Sequence, residues 1–77
     1  MPEPIYIIRE RNVHEDSDLI APTTIWACVG NSDTYEETGS KIAGPIPVLF
    51  ANRMIEGLRT FLEQLGHTVV VENAIDD

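Results

Sequence analysis

The sequence predicts an α+β domain, in which one amphipathic helix packs on one face of a small three- to four-stranded sheet. The first observation is residues 47–65, which carry the apolar spacing of a helix. The second is a set of three segments with the composition of strands, residues 4–11, 23–29 and 67–73. The third is the length of 77 residues, which is that of one domain. The predicted order is β-β-(β)-α-β, with residues 34–38 as the bracketed strand.

The predicted helix runs from Pro47 to Leu65 and is followed by Gly66. Its apolar residues recur at steps of three and four, which places them in one stripe. The members of this stripe are Ala51, Met54, Ile55, Leu58, Phe61, Leu62 and Leu65. Pro47 suits the first turn, where its missing N–H needs no partner, and Gly66 suits the left-handed residue that ends a helix. Gly57 costs about 1 kcal/mol relative to alanine, and it is either merely tolerated or marks the close approach of a partner.

The first two strands place large apolar side chains on a second face of the sheet. Side chains alternate along a strand, so Tyr6 and Ile8 lie on one side of the first strand, and Trp26 and Cys28 on one side of the second. A single helix covers a single face. If the other face stays bare, Tyr6, Ile8 and Trp26 form an exposed apolar patch, which is typical of an interface.

Residues 34–38 (TYEET) decide where the charge collects. If they form an edge strand, the helix starts at the opposite end of the sheet from the acids at 33–37. If they do not, the second strand, the helix and the last strand form a right-handed parallel βαβ unit, and these acids share one pole with the acidic tail. Residues 39–45 are expected to be irregular. The single domain covers residues 1–77, with 74–77 as a frayed tail.

The net charge of −8 is unevenly distributed. Acidic and basic residues balance in residues 1–11 and along the predicted helix. Residues 12–46, however, hold six carboxylates against Lys41, and residues 66–77 hold three against none. Without a basic patch the chain is a poor ligand for nucleic acid, whereas a basic protein surface matches its charge.

We therefore interpret the chain as a protein-interaction module without catalytic activity. Its carboxylates would stand in for phosphates on a basic, nucleic-acid-binding surface of a target protein, which makes it an inhibitor. Phage-encoded inhibitors of host defence, including anti-CRISPR proteins, are similar in size and acidity, a likeness of class without a shared motif. This class implies the host cytoplasm. The predicted partner-binding residues are Glu15, Asp16, Asp18, Asp33, Glu36, Glu37, Tyr6 and Trp26.

Two other functions fit parts of the sequence. A self-assembling structural protein would form a homodimer through the sheet face that bears Tyr6, Ile8, Trp26 and Cys28. An N-terminal proline also resembles the tautomerases, small enzymes that use such a proline as a base, if Met1 is removed before Pro2. The resemblance covers Pro2 and the strand after it, and the chain departs from that family because a second strand follows where a long helix is expected.

No catalytic, cofactor-binding or metal site is predicted. Residues 14–18 (HEDSD) lack the glycine and the closing glutamate of a calcium loop. Residues 39–41 (GSK) have the wrong order for a phosphate loop and do not run directly into a helix. Cys28 is the one cysteine, so it cannot form an internal disulfide and is expected to be a buried thiol. No segment has the pattern of a signal peptide or a membrane span, so a cytoplasmic protein is expected.

Overall fold

The computed structural model describes residues 3–12 and 22–76. Within these ranges the chain forms four strands and two helices. They are β1 (Ile5–Asn12), β2 (Pro22–Val29), α1 (Tyr35–Thr38), β3 (Ser40–Pro47), α2 (Val48–Gln64) and β4 (Val69–Asp76). A mixed four-stranded sheet with one long helix confirms the predicted α+β class.

The sheet has the strand order β3-β2-β1-β4, which makes β1 and β2 its central strands. β2 pairs antiparallel with both β1 and β3, and β4 pairs parallel with β1. In this register Ile7 lies opposite Ala27 of β2 and Val71 of β4. Residues paired in this way point to the same face of the sheet, so the register decides which side chains meet α2.

One face of the sheet, called here the helix face, packs against α2. The buried cluster at this contact consists of Ile7, Ile25, Ala51, Ile55 and Val69. Partly buried apolar residues pack around it, namely Ala43, Ile46, Leu58 and Leu62. Burial of these side chains is the main favourable term that this face contributes to folding.

The structure places both ends of α2 within a residue of the prediction. Pro47 is the last residue of β3 and caps the helix, rather than occupying its first turn. At the other end, Gly66 has a φ of 95°. The Gly66 N–H donates to the Glu63 carbonyl at 3.0 Å, and the His67 N–H donates to the Leu62 carbonyl at 3.0 Å. These two bonds form a Schellman motif, which satisfies carbonyls that the helix end leaves unpaired.

The segment between β2 and α2 differs from the prediction. Residues 34–38 form a turn and the helix α1 instead of an edge strand, and β3 takes the place of the irregular approach predicted for residues 39–45. The Asp33 N–H donates to the Asn31 side-chain oxygen at 2.8 Å, which forms an Asx turn that leads into α1. β3 pairs with β2 through register shifts. Its prolines have no N–H to donate, and an edge strand tolerates this because one of its sides has no neighbouring strand.

The predicted acidic pole is wrong because β2 and β4 are not parallel neighbours. β4 pairs with β1 and therefore runs opposite to β2. Residues 33–37 follow the end of β2 that lies away from the start of α2 and the end of β4. The backbone of residues 74–76, which was expected to fray, belongs to β4.

The apolar stripe predicted for the helix is divided in the structure. Ala51 and Ile55 are buried against the sheet, whereas Met54, Phe61 and Leu65 are exposed. The apolar surface of α2 is wider than the sheet can cover, so only the side of this surface that faces the sheet is buried.

We expect alanine substitutions at Gly57 and Gly66 to change stability in opposite directions. A Cβ at either position would have no heavy atom within 4 Å, so packing does not distinguish them. Gly57 lies inside α2, where alanine is favoured by about 1 kcal/mol. Gly66 has a φ of 95°, a left-handed conformation that costs a non-glycine residue about 1–2 kcal/mol.

Thermal unfolding followed by circular dichroism at low micromolar chain concentration checks this expectation. Gly57→Ala should melt several degrees above the wild type, and Gly66→Ala several degrees below it. A lower melting temperature for Gly57→Ala would contradict the open environment that the structure gives this position.

Candidate functional site

The sheet face opposite α2 is covered, so the bare face predicted from the sequence is wrong. Ile8 and Cys28 on this face are 2% and 4% exposed. Among the described residues, the chain between β2 and β3, residues 30–39, lies against this face through α1, which contacts β2; it is called here the cover segment. Tyr35 of this segment packs on Trp26 and Gly39 lies against Cys28, and Ile8 is buried, so the predicted continuous apolar patch is not exposed.

A carboxylate on β1 holds the cover segment in place. Glu10 accepts a hydrogen bond of 2.5 Å from the Tyr35 hydroxyl of α1 and a longer one of 3.4 Å from the Trp26 indole N–H of β2. The Tyr35 and Trp26 rings pack edge to face, with centroids 5.7 Å apart. Such edge-to-face pairs add about 0.5–1.5 kcal/mol beyond the area they bury. The Glu10 network, meaning Glu10, Trp26 and Tyr35, thus ties three elements together.

Two further contacts fix the ends of the cover segment. The Ser32 hydroxyl donates to a Glu72 carboxylate oxygen of β4 at 3.0 Å. At the other end, a Cβ on Gly39 would lie 2.8 Å from the Ala27 carbonyl and 3.2 Å from the Cys28 Cβ. Glycine at position 39 therefore allows the segment to approach β2 more closely than any other residue could.

The environment of the covered face changes two acid–base equilibria. Burial, with the hydrogen bond to Glu10 as the next cause, raises the pKa of the Tyr35 hydroxyl above its ordinary value. Burial also raises the pKa of the Cys28 thiol, and the nearby Glu72 carboxylate adds to that rise. Tyr35 therefore stays a hydrogen-bond donor, and Cys28 stays a protonated, unreactive thiol at neutral pH.

Three of the predicted binding acids lie on the cover segment. Asp33, Glu36 and Glu37 are exposed, and none of them forms an ion pair with a lysine or arginine among the residues that the structure describes. The Glu36 carboxylate is near enough to Tyr35 to add a small part to the rise in the pKa of that hydroxyl. The segment therefore presents carboxylates to solvent from a backbone that the Glu10 network holds against the sheet.

The other predicted site residues have different outcomes. Tyr6 and Trp26 are half-buried on the covered face, and Trp26 is engaged with Tyr35 and Glu10. Glu15, Asp16 and Asp18 lie outside the residues that the structure describes, as does Pro2 of the tautomerase resemblance.

A separate polar contact occurs at the edge of the helix face. The Arg9 guanidinium donates to the Asn73 side chain of β4 at 2.8 Å and to the Asn52 side chain of α2. Beside it runs a shallow groove bordered by Arg59 and Val71. Both asparagines use their oxygens on Arg9, so this cation fastens α2 to β4 and is committed to a structural contact.

Sequence reasoning missed the Glu10 network. Alternation along the first strand puts Glu10 on the same side as Ile8, but the sequence contains no register that would bring Glu10 next to Trp26. In the structure Ile8 lies opposite Trp26 and Glu10 opposite Thr24, so Glu10 is the diagonal neighbour of Trp26. The sequence feature that could have indicated the network is a carboxylate on an otherwise apolar side of the strand. Such a carboxylate needs a hydrogen-bond donor when it is buried, for example an indole or a phenol.

Comparison with protein-family models, with curated proteins and with solved structures found no match to this chain. Neither helix of the described residues is long and apolar enough to cross a bilayer. Within residues 3–12 and 22–76, no three side chains of the metal-ligating types come close enough together to hold an ion. Function must therefore be argued from the surface chemistry of the chain itself.

We expect Tyr35→Phe to lower the free energy of unfolding by about 1 kcal/mol at pH 7, because it deletes the hydroxyl that donates to Glu10. The raised pKa of Tyr35 sets the sign of the pH dependence. The folded state holds this proton more tightly than the unfolded state, so the contribution is complete below the ordinary tyrosine value of 10.0 and is lost as the pH rises further.

Urea titrations of both proteins at pH 7 and at several values above pH 10 measure the difference. The gap between the wild type and Tyr35→Phe should be widest at pH 7 and should narrow in the alkaline series. Tyr6→Phe, which changes the other tyrosine of the chain, is the matched control. When Tyr6→Phe replaces the wild type in the comparison with Tyr35→Phe, the difference in free energy of unfolding should still narrow as the pH rises. A gap that does not depend on pH would contradict the Glu10 network.

Proposed function

We propose that this chain is a non-catalytic protein-interaction module that inhibits its target by occupying a basic, nucleic-acid-binding surface. The observation that supports the proposal best is the display of Asp33, Glu36 and Glu37 on the cover segment without a cationic partner among the described residues. Carboxylates fixed in this way lose little freedom when they bind, which favours an interaction that resembles the binding of a phosphate backbone.

The charge balance of the molecule supports the same choice of partner. The net charge is −8, and it steers the chain toward positive surfaces and away from nucleic acid itself. Two of the five cationic groups are committed elsewhere: Arg9 joins two asparagines, and Arg59 pairs with Glu63 at 3.5 Å. On the covered side, Lys41 lies opposite Trp26, and the three acids at 33–37 outnumber this cation.

The proposal also includes a biological setting for this inhibitor. An inhibitor of this size and charge fits the class of phage proteins that act against host defence in the cytoplasm, of which anti-CRISPR proteins are one type. Composition alone supports this part. The carboxylates Glu15, Asp16 and Asp18 belong to the proposed contact on the same ground.

Displacement of DNA tests the proposal. Purified basic nucleic-acid-binding proteins are loaded with a fluorescein-labelled DNA duplex, and the chain is titrated in while anisotropy is measured. The wild type should release DNA from at least one protein of the panel at micromolar concentration or below. The variant Asp33→Asn/Glu36→Gln/Glu37→Gln should be weaker by roughly three- to a hundredfold at low salt, because each of the three exposed charges contributes about 0.2–1 kcal/mol. The difference should shrink as salt increases.

The control is a variant with the same net charge but with the negative charge removed from α2, Glu56→Lys/Glu63→Gln. It should displace DNA nearly as well as the wild type. Equal losses in both variants would mean that total charge acts without a specific surface, and failure of the wild type to release any DNA would refute the inhibitor function.

A further inference from the structure

The outer side of α2 carries a second apolar stripe, which the sheet does not cover. Its members, called here the outer stripe, are Phe50, Met54, Phe61 and Leu65, and they are 64%, 40%, 58% and 60% exposed. At about 100° per residue they fall within an arc of about 60°, and this arc is turned about 80° away from the residues that pack on the sheet. Gly57 lies beside it, and a Cβ there would have nothing within 4 Å.

We propose that the outer stripe is the contact through which two copies of this chain form a homodimer, with their α2 helices antiparallel. A two-fold contact needs a surface that complements itself. The outer stripe has this property about a point between Gly57 and Leu58. Around that point, Phe50 lies opposite Leu65 of the second copy, and Met54 lies opposite Phe61 of the second copy. A large residue thus meets a smaller one at each level.

Gly57, which lies beside the outer stripe and halfway along it, permits the helices to come close together. The position opposite Gly57 in this arrangement is Leu58 of the second copy, beside the two-fold axis. Open space around Gly57 leaves room for a side chain from the other helix, as small residues do at closely packed helix pairs. This gives a role to a residue that otherwise weakens α2.

Charge favours a second copy over a basic partner at this surface. Seen along the helix axis, Glu56 and Glu63 lie on the side away from the outer stripe, and the nearest flank carries Arg53, Thr60 and Gln64. A basic partner would find no carboxylate there. Two copies can approach through α2 without bringing their surplus carboxylates together, because α2 itself has as many basic as acidic residues.

The available area sets the expected strength of association. The outer stripe exposes on the order of 450 Å² in each copy, so a dimer would bury roughly 900–1,000 Å² in total, at the lower limit of specific interfaces. We therefore expect a weak dimer, with a Kd on the order of 10–100 μM. The contact is separate from the acidic cover segment, so it leaves the proposed inhibitory surface free.

Sedimentation equilibrium of the full chain between 1 and 500 μM, loading concentrations that bracket the expected Kd, tests this proposal at physiological salt. The wild type should move from monomer to dimer across this range. Met54→Glu/Phe61→Glu places carboxylates at the facing positions and should weaken the dimer at least tenfold, with an unchanged circular dichroism spectrum because both residues are exposed in the monomer. Gly57→Gln should also weaken the dimer while it stabilises the helix.

The control is Arg59→Glu, which adds the same two negative charges on the opposite side of α2. It should retain the dimer within about threefold of the wild type. A wild type that stays monomeric at 500 μM overturns the proposal. So does a dimer that withstands both outer-stripe variants, or one that Arg59→Glu weakens as much as Met54→Glu/Phe61→Glu does, because the contact would then lie elsewhere or depend on net charge alone.

Discussion

The central pair of strands must be covered on both faces, and the chain has one long helix with which to do it. Neighbouring residues of β1 show the constraint: Ile7 faces α2, Ile8 faces the opposite side, and both are buried. Leaving either face open would cost this small domain a large part of its thin core. The chain between β2 and β3 therefore serves as the second cover, although its apolar content is low. Two carboxylates, Glu10 and Glu72, supply the polar anchors that hold this cover in place.

The same constraint explains where the interaction surfaces lie. Because residues 30–39 are held against the sheet, their acidic side chains project outward from a fixed backbone. α2, in turn, has more apolar surface than one side of a narrow sheet can receive, and the excess stays on its outer side. The molecule thus presents an acidic surface on one side of the sheet and an apolar, electrically balanced surface on the other. They suit partners of different chemistry.

The sequence was sufficient where the signal is local and periodic. α2, its glycine-ended C-terminus and the first two strands follow from spacing and from stop residues. The segment 34–47 was misassigned because its course depends on an asparagine turn, on close backbone approach at Gly39 and on an irregular edge pairing, none of which leaves a periodic pattern. The Glu10 network was missed because strand register is a long-range property. The helix stripe was drawn too wide because spacing alone cannot say how much of an apolar surface finds a partner.

The rate at which Cys28 reacts with a thiol reagent is the most direct test of the central claim that residues 30–39 cover the second sheet face. Cys28 lies directly beneath Gly39 and is 4% exposed. Labelling by 5,5′-dithiobis(2-nitrobenzoate) should be at least a hundredfold slower in the native protein than in urea, because the cover must open first. Tyr35→Ala, which cuts the tie to Glu10, should speed the native reaction without unfolding the sheet. A native rate within a few-fold of the rate in urea would contradict the account.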